Sequence, residues 1–217
     1  MFTDVRNVYC VGRNYRLHAA ELGNDVPKSP MLFTKPTHSL VQAEGNAIAL
    51  PGDRGDVHYE AELVLHIGRD YEPGMRVEEL VDKLAIGIDF TLRDVQSELK
   101  EKGLPWLAAK GFLGSAPIGR FFPYPAAGIT QVPFSLSING VEKQRGTAAE
   151  MIFDPQTLVE FIAARYGLGA GDLIFTGTPA GVGPVTDGDT FELFWNGEEV
   201  GSFQVKLAAD DAAGKKA

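Results

Sequence analysis

The run His58-Tyr59-Glu60-Ala61-Glu62-Leu63-Val64-Leu65 sets two carboxylates two residues apart within a largely apolar stretch. On an extended strand, residues i and i+2 share a face. Glu60 and Glu62 therefore point the same way with His58 beside them, while Tyr59, Ala61, Leu63 and Leu65 take the opposite face. Adjacent carboxylates repel unless a proton or a cation lies between them. Two readings fit the pattern: a solvated outer face, or half of a cation site. A third acid, Asp89, closes the run Leu84-Ala85-Ile86-Gly87-Ile88-Asp89-Phe90, which is otherwise built for burial. An ionised aspartate there is costly unless it is paired or coordinated, or unless it caps the following helix at the strand end. Glu60, Glu62 and Asp89 together form an oxygen-only ligand set on two strands. That set suits magnesium or manganese, since the thiolates or clustered histidines that zinc favours are missing.

Further candidates surround this set. His18 and Glu21 stand three residues apart on a short helical segment, hence on one face. They form either a base with its orienting carboxylate or ordinary polar residues of a surface helix. Arg93 and Gln96 open the segment after Asp89 and could orient a bound carboxylate, or Arg93 could simply balance the nearby acids. Lys110 emerges from Trp106-Leu107-Ala108-Ala109 and either stabilises developing negative charge or snorkels to solvent. The stretch Thr176-Gly177-Thr178-Pro179-Ala180-Gly181-Val182-Gly183-Pro184 lacks the lysine of a Walker loop. Its backbone amides and the Thr178 hydroxyl suit a ligand wall, and a plain structural loop is the alternative.

Short strands and turns must position these groups. The pattern predicts strands over 7–11, 31–33, 48–50, 58–67, 85–90 and 173–176. Asn139-Gly140 and Asn196-Gly197 mark two hairpins, joining 134–138 to 141–144 and 191–195 to 200–205. Helices are expected over 15–22, capped by Asn14 and closed by Gly23, and over 78–84, 91–102 and 155–166. Strands and helices do not alternate, which argues against a doubly wound sheet and for a β-rich roll.

The composition bounds the rest. A chain of 217 residues with 44% hydrophobic and 23% charged residues can bury one core without disulfides. We expect a single catalytic domain over 1–207, with a lid helix at about 14–23 and a disordered tail over 208–217. A formal charge of −9 argues against nucleic acid or an anionic membrane as partner. The lone cysteine, Cys10, sits in an apolar run and reads as a buried small hydrophobe in a reducing compartment. No transmembrane span or secretory signal is evident, so a cytoplasmic protein is expected.

Read together, the motifs resemble the fumarylacetoacetate hydrolase family, in particular its short single-domain members. The matching pieces are Val11-Gly12-Arg13-Asn14-Tyr15 with His18 and Glu21, then Pro30-Met31-Leu32-Phe33-Thr34-Lys35-Pro36 and Val57-His58-Tyr59-Glu60-Ala61-Glu62-Leu63. Asp89-Phe90-Thr91-Leu92-Arg93-Asp94-Val95-Gln96, Gly103-Leu104-Pro105-Trp106-Leu107-Ala108-Ala109-Lys110 and the 176–184 loop complete the set. The resemblance implies an α+β, β-rich fold, a mixed β-sandwich roll of the family's C-terminal-domain type, and a homodimer. It implies Glu60, Glu62 and Asp89 as Mg2+ or Mn2+ ligands, and His18 and Glu21 as a catalytic pair with Lys110 as active-site cation. Arg13, Tyr15, Arg93, Gln96 and Thr178 are implied near a small 2-oxo acid substrate.

The activity expected from these parts is hydrolysis of the C–C bond of acylpyruvates through a metal-stabilised pyruvate enolate. Oxaloacetate decarboxylation or tautomerisation is the alternative, as is isomerisation or decarboxylation of a 2-oxo dioate from aromatic degradation. A non-catalytic 2-oxo-acid binding module on the same scaffold is the reading from another class.

Overall fold

The computed structural model describes residues 2–21, 23, 25–125 and 128–208. Strands dominate. The first half contains β1 (Val8–Gly12), β2 (Met31–Thr34), β3 (Leu40–Gln42), β4 (Glu44–Pro51), β5 (Val57–Tyr59), β6 (Ala61–Ile67), β7 (Val81–Ile88) and β8 (Thr91–Leu92). The second half adds β9 (Ala116–Ile118), β10 (Phe122–Pro123), β11 (Phe134–Ile138), β12 (Val141–Gly146), β13 (Leu173–Phe175), β14 (Gly183–Pro184), β15 (Thr190–Trp195) and β16 (Glu198–Ala208). The helices are α1 (Arg16–Glu21), α2 (Val77–Leu80), α3 (Arg93–Glu101), α4 (Leu107–Lys110) and α5 (Pro155–Tyr166).

Three sheets result. An eight-stranded mixed sheet runs β2-β1-β13-β6-β7-β9-β3, with β10 also on β7. A five-stranded sheet runs β12-β11-β15-β16-β4, and a small one pairs β14-β5-β8. This is the β-rich, mixed-sheet roll that the turn pattern implies. Both hairpin turns form as expected: Asn139-Gly140 and Asn196-Gly197 all take positive φ, the backbone twist that suits a two-residue hairpin loop. Asp154 caps α5 through its side chain to the Thr157 amide, with Pro155 at the first helical position.

The large sheet is covered on both sides, and alternation divides its side chains. Tyr9, Val11, Leu63, Leu65, Leu84, Ile86 and Ile88 join the main core. Val8, Cys10, Val64, Ala85, Leu173 and Phe175 join a smaller cluster on the other face. Glu62 has the parity of Val64, and Asp89 that of Ala85. Both acids therefore emerge at the edge of the second face. Phe90 turns the opposite way, into an aromatic group with Phe191 and Phe203 whose ring centroids lie 4.8–6.1 Å apart.

Three local expectations need correction. The helix expected over 78–84 stops at Leu80, because Val81–Ile88 pairs along nearly all of β6, from Ile67↔Val81 to Ala61↔Ile88. A full ladder and buried Leu84 outweigh a few helical bonds. Asn14 does not cap α1. Its side chain instead bonds the Phe153 and Thr176 backbones, tying the start of the helix to two distant segments. The helix expected over 91–102 opens with strand β8 and becomes helical at Arg93. Of the tail expected over 208–217, Ala208 ends β16 paired with Pro51, and the remainder lies outside the described residues, as does Leu22 at the end of the expected first helix. No helix among the described residues is long and apolar enough to cross a membrane.

Replacing Phe203 by alanine removes a fully buried ring from the group that anchors Phe90. We expect a loss of about 3–5 kcal/mol in urea unfolding.

Candidate active site

The site forms where β5, β6, β7 and β8 meet. The strand expected over 58–67 is interrupted at Glu60, which lies between β5 and β6. The Asp89 amide donates to the Glu60 carbonyl at 2.8 Å, and the Ala61 amide donates to Gln144 Oε1 at 2.8 Å. The two acid-bearing segments are thus sewn together by backbone bonds at the very residues that carry the carboxylates. Glu60, Glu62 and Asp89 are all buried, which excludes the solvated-face reading. One oxygen from each lies within 4.8 Å of the others. Asp89 does not cap α3, whose N-terminal residue makes no side-chain cap.

Three cations compensate the acids unequally. Lys110 Nζ donates to Glu60 Oε2 at 2.9 Å, Asp89 Oδ2 at 2.6 Å and Thr91 Oγ1 at 2.7 Å. It is buried, not snorkelling. Burial alone would lower its pKa, but Asp89 and Glu60 override this and hold it above the ordinary lysine value. Arg93 Nη2 donates to Glu60 Oε1 at 2.6 Å, while Nη1 reaches Gln96 Oε1 at 2.8 Å. Burial raises the Glu60 carboxyl, yet Lys110 and then Arg93 pull it well below the usual range. Lys35 Nζ lies 2.8 Å from Asp89 Oδ1, with its hydrogens directed at Phe90, Lys110 and Ser115 oxygens. Asp89 Oδ1 consequently remains a buried oxygen without a hydrogen-bond donor.

Glu62 is different. Among the described residues it has no ion-pair partner, only the Gly177 amide at 2.7 Å. Burial, then Asp89, then Glu60 push its carboxyl well above the ordinary value. A buried acid with no cation of its own, beside an aspartate oxygen with no donor, is a place where a hard divalent cation fits. The residues present suit that ion.

Two glycines bring a loop against these acids. Gly177 (φ 98) presents its amide to Glu62, and a β-carbon on it would meet Asn14 Cβ at 2.6 Å. Gly181 (φ 99) directs its amide to both oxygens of Glu21, at 3.1 and 3.3 Å. Glu21 in turn bonds His18 Nδ1 at 3.4 Å through Oε2. A carboxylate only accepts, so the proton sits on Nδ1 and Nε2 keeps its lone pair. Burial lowers the His18 pKa, outweighing Glu60 and Glu21, so the imidazole is neutral at pH 7.

The resulting cleft encloses about 420 Å3, its open mouth included. Arg13, His18, Glu60, Glu62, Asp89, Arg93, Gln96, Lys110 and Thr178 all line it. Glu21 stands behind His18. Tyr15 does not reach the lining: its side chain is buried and its hydroxyl has no partner. His58, expected beside the glutamates, also lies outside the cleft lining. The Thr178 hydroxyl donates to the Ala61 carbonyl and accepts from Gln144 Nε2, so it braces the loop instead of awaiting a ligand.

Sequence reasoning assigned no role to Lys35, Gln144 or Lys100. Lys35 had a signal, a lysine two residues after the apolar run Met31-Leu32-Phe33, close to the pattern that drew attention to Lys110. Lys100 had one too, seven residues after Arg93 on the same helix face. Gln144 sits on a strand of polar residues and had none.

The family profile described as "Fumarylacetoacetate (FAA) hydrolase C-terminal" matches residues 7–207. The chain is 39% identical over 202 residues to oxaloacetate tautomerase YcgM of Escherichia coli (strain K12), covering 90% of this chain and 91% of that protein. It is 39% identical over 193 residues to a mitochondrial oxaloacetate decarboxylase of Dictyostelium discoideum, covering 86% and 87%. A crystal structure of fumarylpyruvate hydrolase from Pseudomonas aeruginosa, in complex with Mn2+ and pyruvate, superimposes with a TM-score of 0.87 at 38% identity, covering 94% of this chain and 91% of that one. A profile match over nearly the whole chain and whole-length similarity to these relatives agree: this chain belongs to the fumarylacetoacetate hydrolase family.

Proposed function

We propose that the protein is a Mg2+- or Mn2+-dependent enzyme acting on a small 2-oxo acid, and that its reaction turns on proton transfer at the carbon beside the 2-oxo group. Keto–enol tautomerisation of oxaloacetate is the first reading. The observation that carries it is a neutral His18, held by Glu21 with Nε2 unprotonated, on the wall of the cleft that contains the three acids. The oxaloacetate relatives support the choice of substrate.

Glu60, Glu62 and Asp89 would hold the ion, which when bound supplies a Lewis acid for the 2-oxo oxygen. The chain's own residues do the rest. Arg93 and Gln96, joined by their hydrogen bond, orient the 1-carboxylate. His18 Nε2 takes a proton from C3, and the C–H electron pair becomes the C2–C3 double bond as charge moves to the 2-oxo oxygen. Return of that proton from the His18 imidazolium to the oxygen, directly or through a water, completes the enol and restores the neutral base. Lys110, whose ammonium is held charged by Glu60 and Asp89, supplies a fixed positive field at the point where negative charge grows. Loss of CO2 from oxaloacetate uses the same electron sink without an attacking water.

A second reading is C–C hydrolysis of acylpyruvates, in which His18 deprotonates water instead of carbon. The fumarylpyruvate hydrolase structure favours keeping it. The same proposal includes a homodimer, supported by the apolar groove between the edge strand β2 and Leu104, Trp106 and Leu107. It also includes a cytoplasmic setting, supported by the single buried thiol.

Chelator-treated protein, reconstituted with Mg2+ or Mn2+, is to be assayed on oxaloacetate tautomerisation and acetylpyruvate hydrolysis side by side. We expect turnover to vanish on chelation and return with either ion; binding of the acids without turnover at full metal loading would leave only a binding module. His18→Ala should lower kcat/KM by about 10²–10⁴-fold, the usual contribution of a positioned base.

The pH profile follows from the sign of the His18 shift. The base is active when unprotonated, and its lowered pKa moves the acid limb below the ordinary histidine range. Activity should be level through pH 7 and fall about tenfold per unit only below that limb.

Glu62→Gln tests the ion site by itself. Relieving carboxylate repulsion should leave the metal-free Tm unchanged or raise it. The variant should lose the rise of roughly 5–10 °C expected for wild type at a hundredfold excess of Mn2+ over Kd. A full metal-induced rise in the variant would remove Glu62 from the ligand set.

A further inference from the structure

The inner half of the cleft is charge-balanced and the outer half is not. Arg93, Gln96 and Lys100 stand at i, i+3 and i+7 on α3, one face of the helix, and all three line the cleft. Arg93 is spent on Glu60 and Gln96. The Lys100 side chain makes no hydrogen bond or ion pair among the described residues, and neither does the side chain of Arg13, which lines the same cleft. Burial, then Arg13, then Arg93 lower the Lys100 pKa, as expected for cations that line one cleft. In a chain of net charge −9, with acids available for pairing, two cleft-lining cations with no acidic partner among the described residues suit an anion. Arg13 is moreover held at φ 57, a backbone conformation that side-chain-bearing residues rarely adopt, fixed between β1 and α1.

We propose that Lys100 and Arg13 form a subsite for the distal carboxylate of the substrate, so that this enzyme selects 2-oxo dicarboxylates over 2-oxo monocarboxylates. The inference rests on the reading above, in which the 2-oxo carboxylate end lies at the acids and Arg93. Seven residues of helix rise by about 10 Å. Lys100, reaching back along that face, therefore meets the far end of a four- or five-carbon chain whose first carboxylate is at Arg93. A neutral or alkyl far end would offer neither cation a counter-charge and would set apolar carbons against them, which disfavours it. Lys100 is exposed on its solvent side, so the selection is electrostatic and weakens with salt.

The test compares 2-oxoglutarate with 2-oxopentanoate, equal in length and different only in the distal carboxylate. Both are titrated calorimetrically into full-length, Mn2+-loaded protein at low salt. We expect wild type to bind 2-oxoglutarate at least tenfold more tightly, and Lys100→Met to cut that preference about tenfold. Lys100→Arg should keep most of it, which a merely structural role for the lysine stem would not require. The ratio of kcat/KM for oxaloacetate to that for acetylpyruvate should fall in parallel in Lys100→Met. Equal wild-type affinities, or a preference that survives Lys100→Met within twofold, would overturn the subsite and leave the proposed function standing. Failure of wild type to bind either acid would overturn both.

Discussion

Three carboxylates buried within a few ångströms of one another repel. At an effective dielectric near 20, a like-charge pair 4 Å apart costs about 4 kcal/mol. Much of the architecture around them answers that repulsion. Lys110 bridges Glu60 and Asp89, Arg93 takes the other oxygen of Glu60, and Lys35 approaches Asp89 from behind. Among the described residues, Glu62 receives only an amide. The compensation is therefore incomplete at one edge, and the edge left open is the one that suits a divalent ion. A fully neutralised trio would bind nothing; an uncompensated one would take up protons.

The scaffold holds this balance through alternation and close approach. On β7 the core-facing side chains leave Asp89 on the opposite face, and Phe90, locked among Phe191 and Phe203, prevents the segment from rotating. The glycine-rich loop then joins two functions that are distant in sequence. The Gly177 amide reaches Glu62 in the acidic cluster, and four residues later the Gly181 amide reaches Glu21 behind His18. Gln144 braces the same loop against Ala61. The position of the base and that of the acids are consequently set by one short segment.

Charge changes character along the cleft. At the inner end every cation is committed to an acid and serves to hold the site together. At the outer end, the Arg13 and Lys100 side chains pair with nothing among the described residues. A substrate that carries negative charge at both ends completes the pattern, whereas one with an apolar tail completes half of it.

Several features were legible in the residues alone. The i, i+2 spacing of Glu60 and Glu62, an aspartate in an apolar run, and the two Asn-Gly turns are local patterns whose physics acts over a few residues. The spacing of His18 and Glu21 is local in the same way. The sequence by itself therefore determined the acidic set, the His18–Glu21 pairing, the hairpins and the β-rich class. Only the tertiary structure decided the rest. It broke the strand at Glu60, turned residues 81–84 from helix to strand because β6 offered a ladder, and withdrew Tyr15 and His58 from the cleft. It also brought in Lys35, Gln144 and Lys100, and spent the Thr178 hydroxyl on Ala61. Most of these outcomes depend on partners far away in the chain, such as Asp89 for Lys35 at a separation of 54 residues; even where a local signal existed, as at Lys35 and Lys100, nothing within a few residues says what the side chain will face.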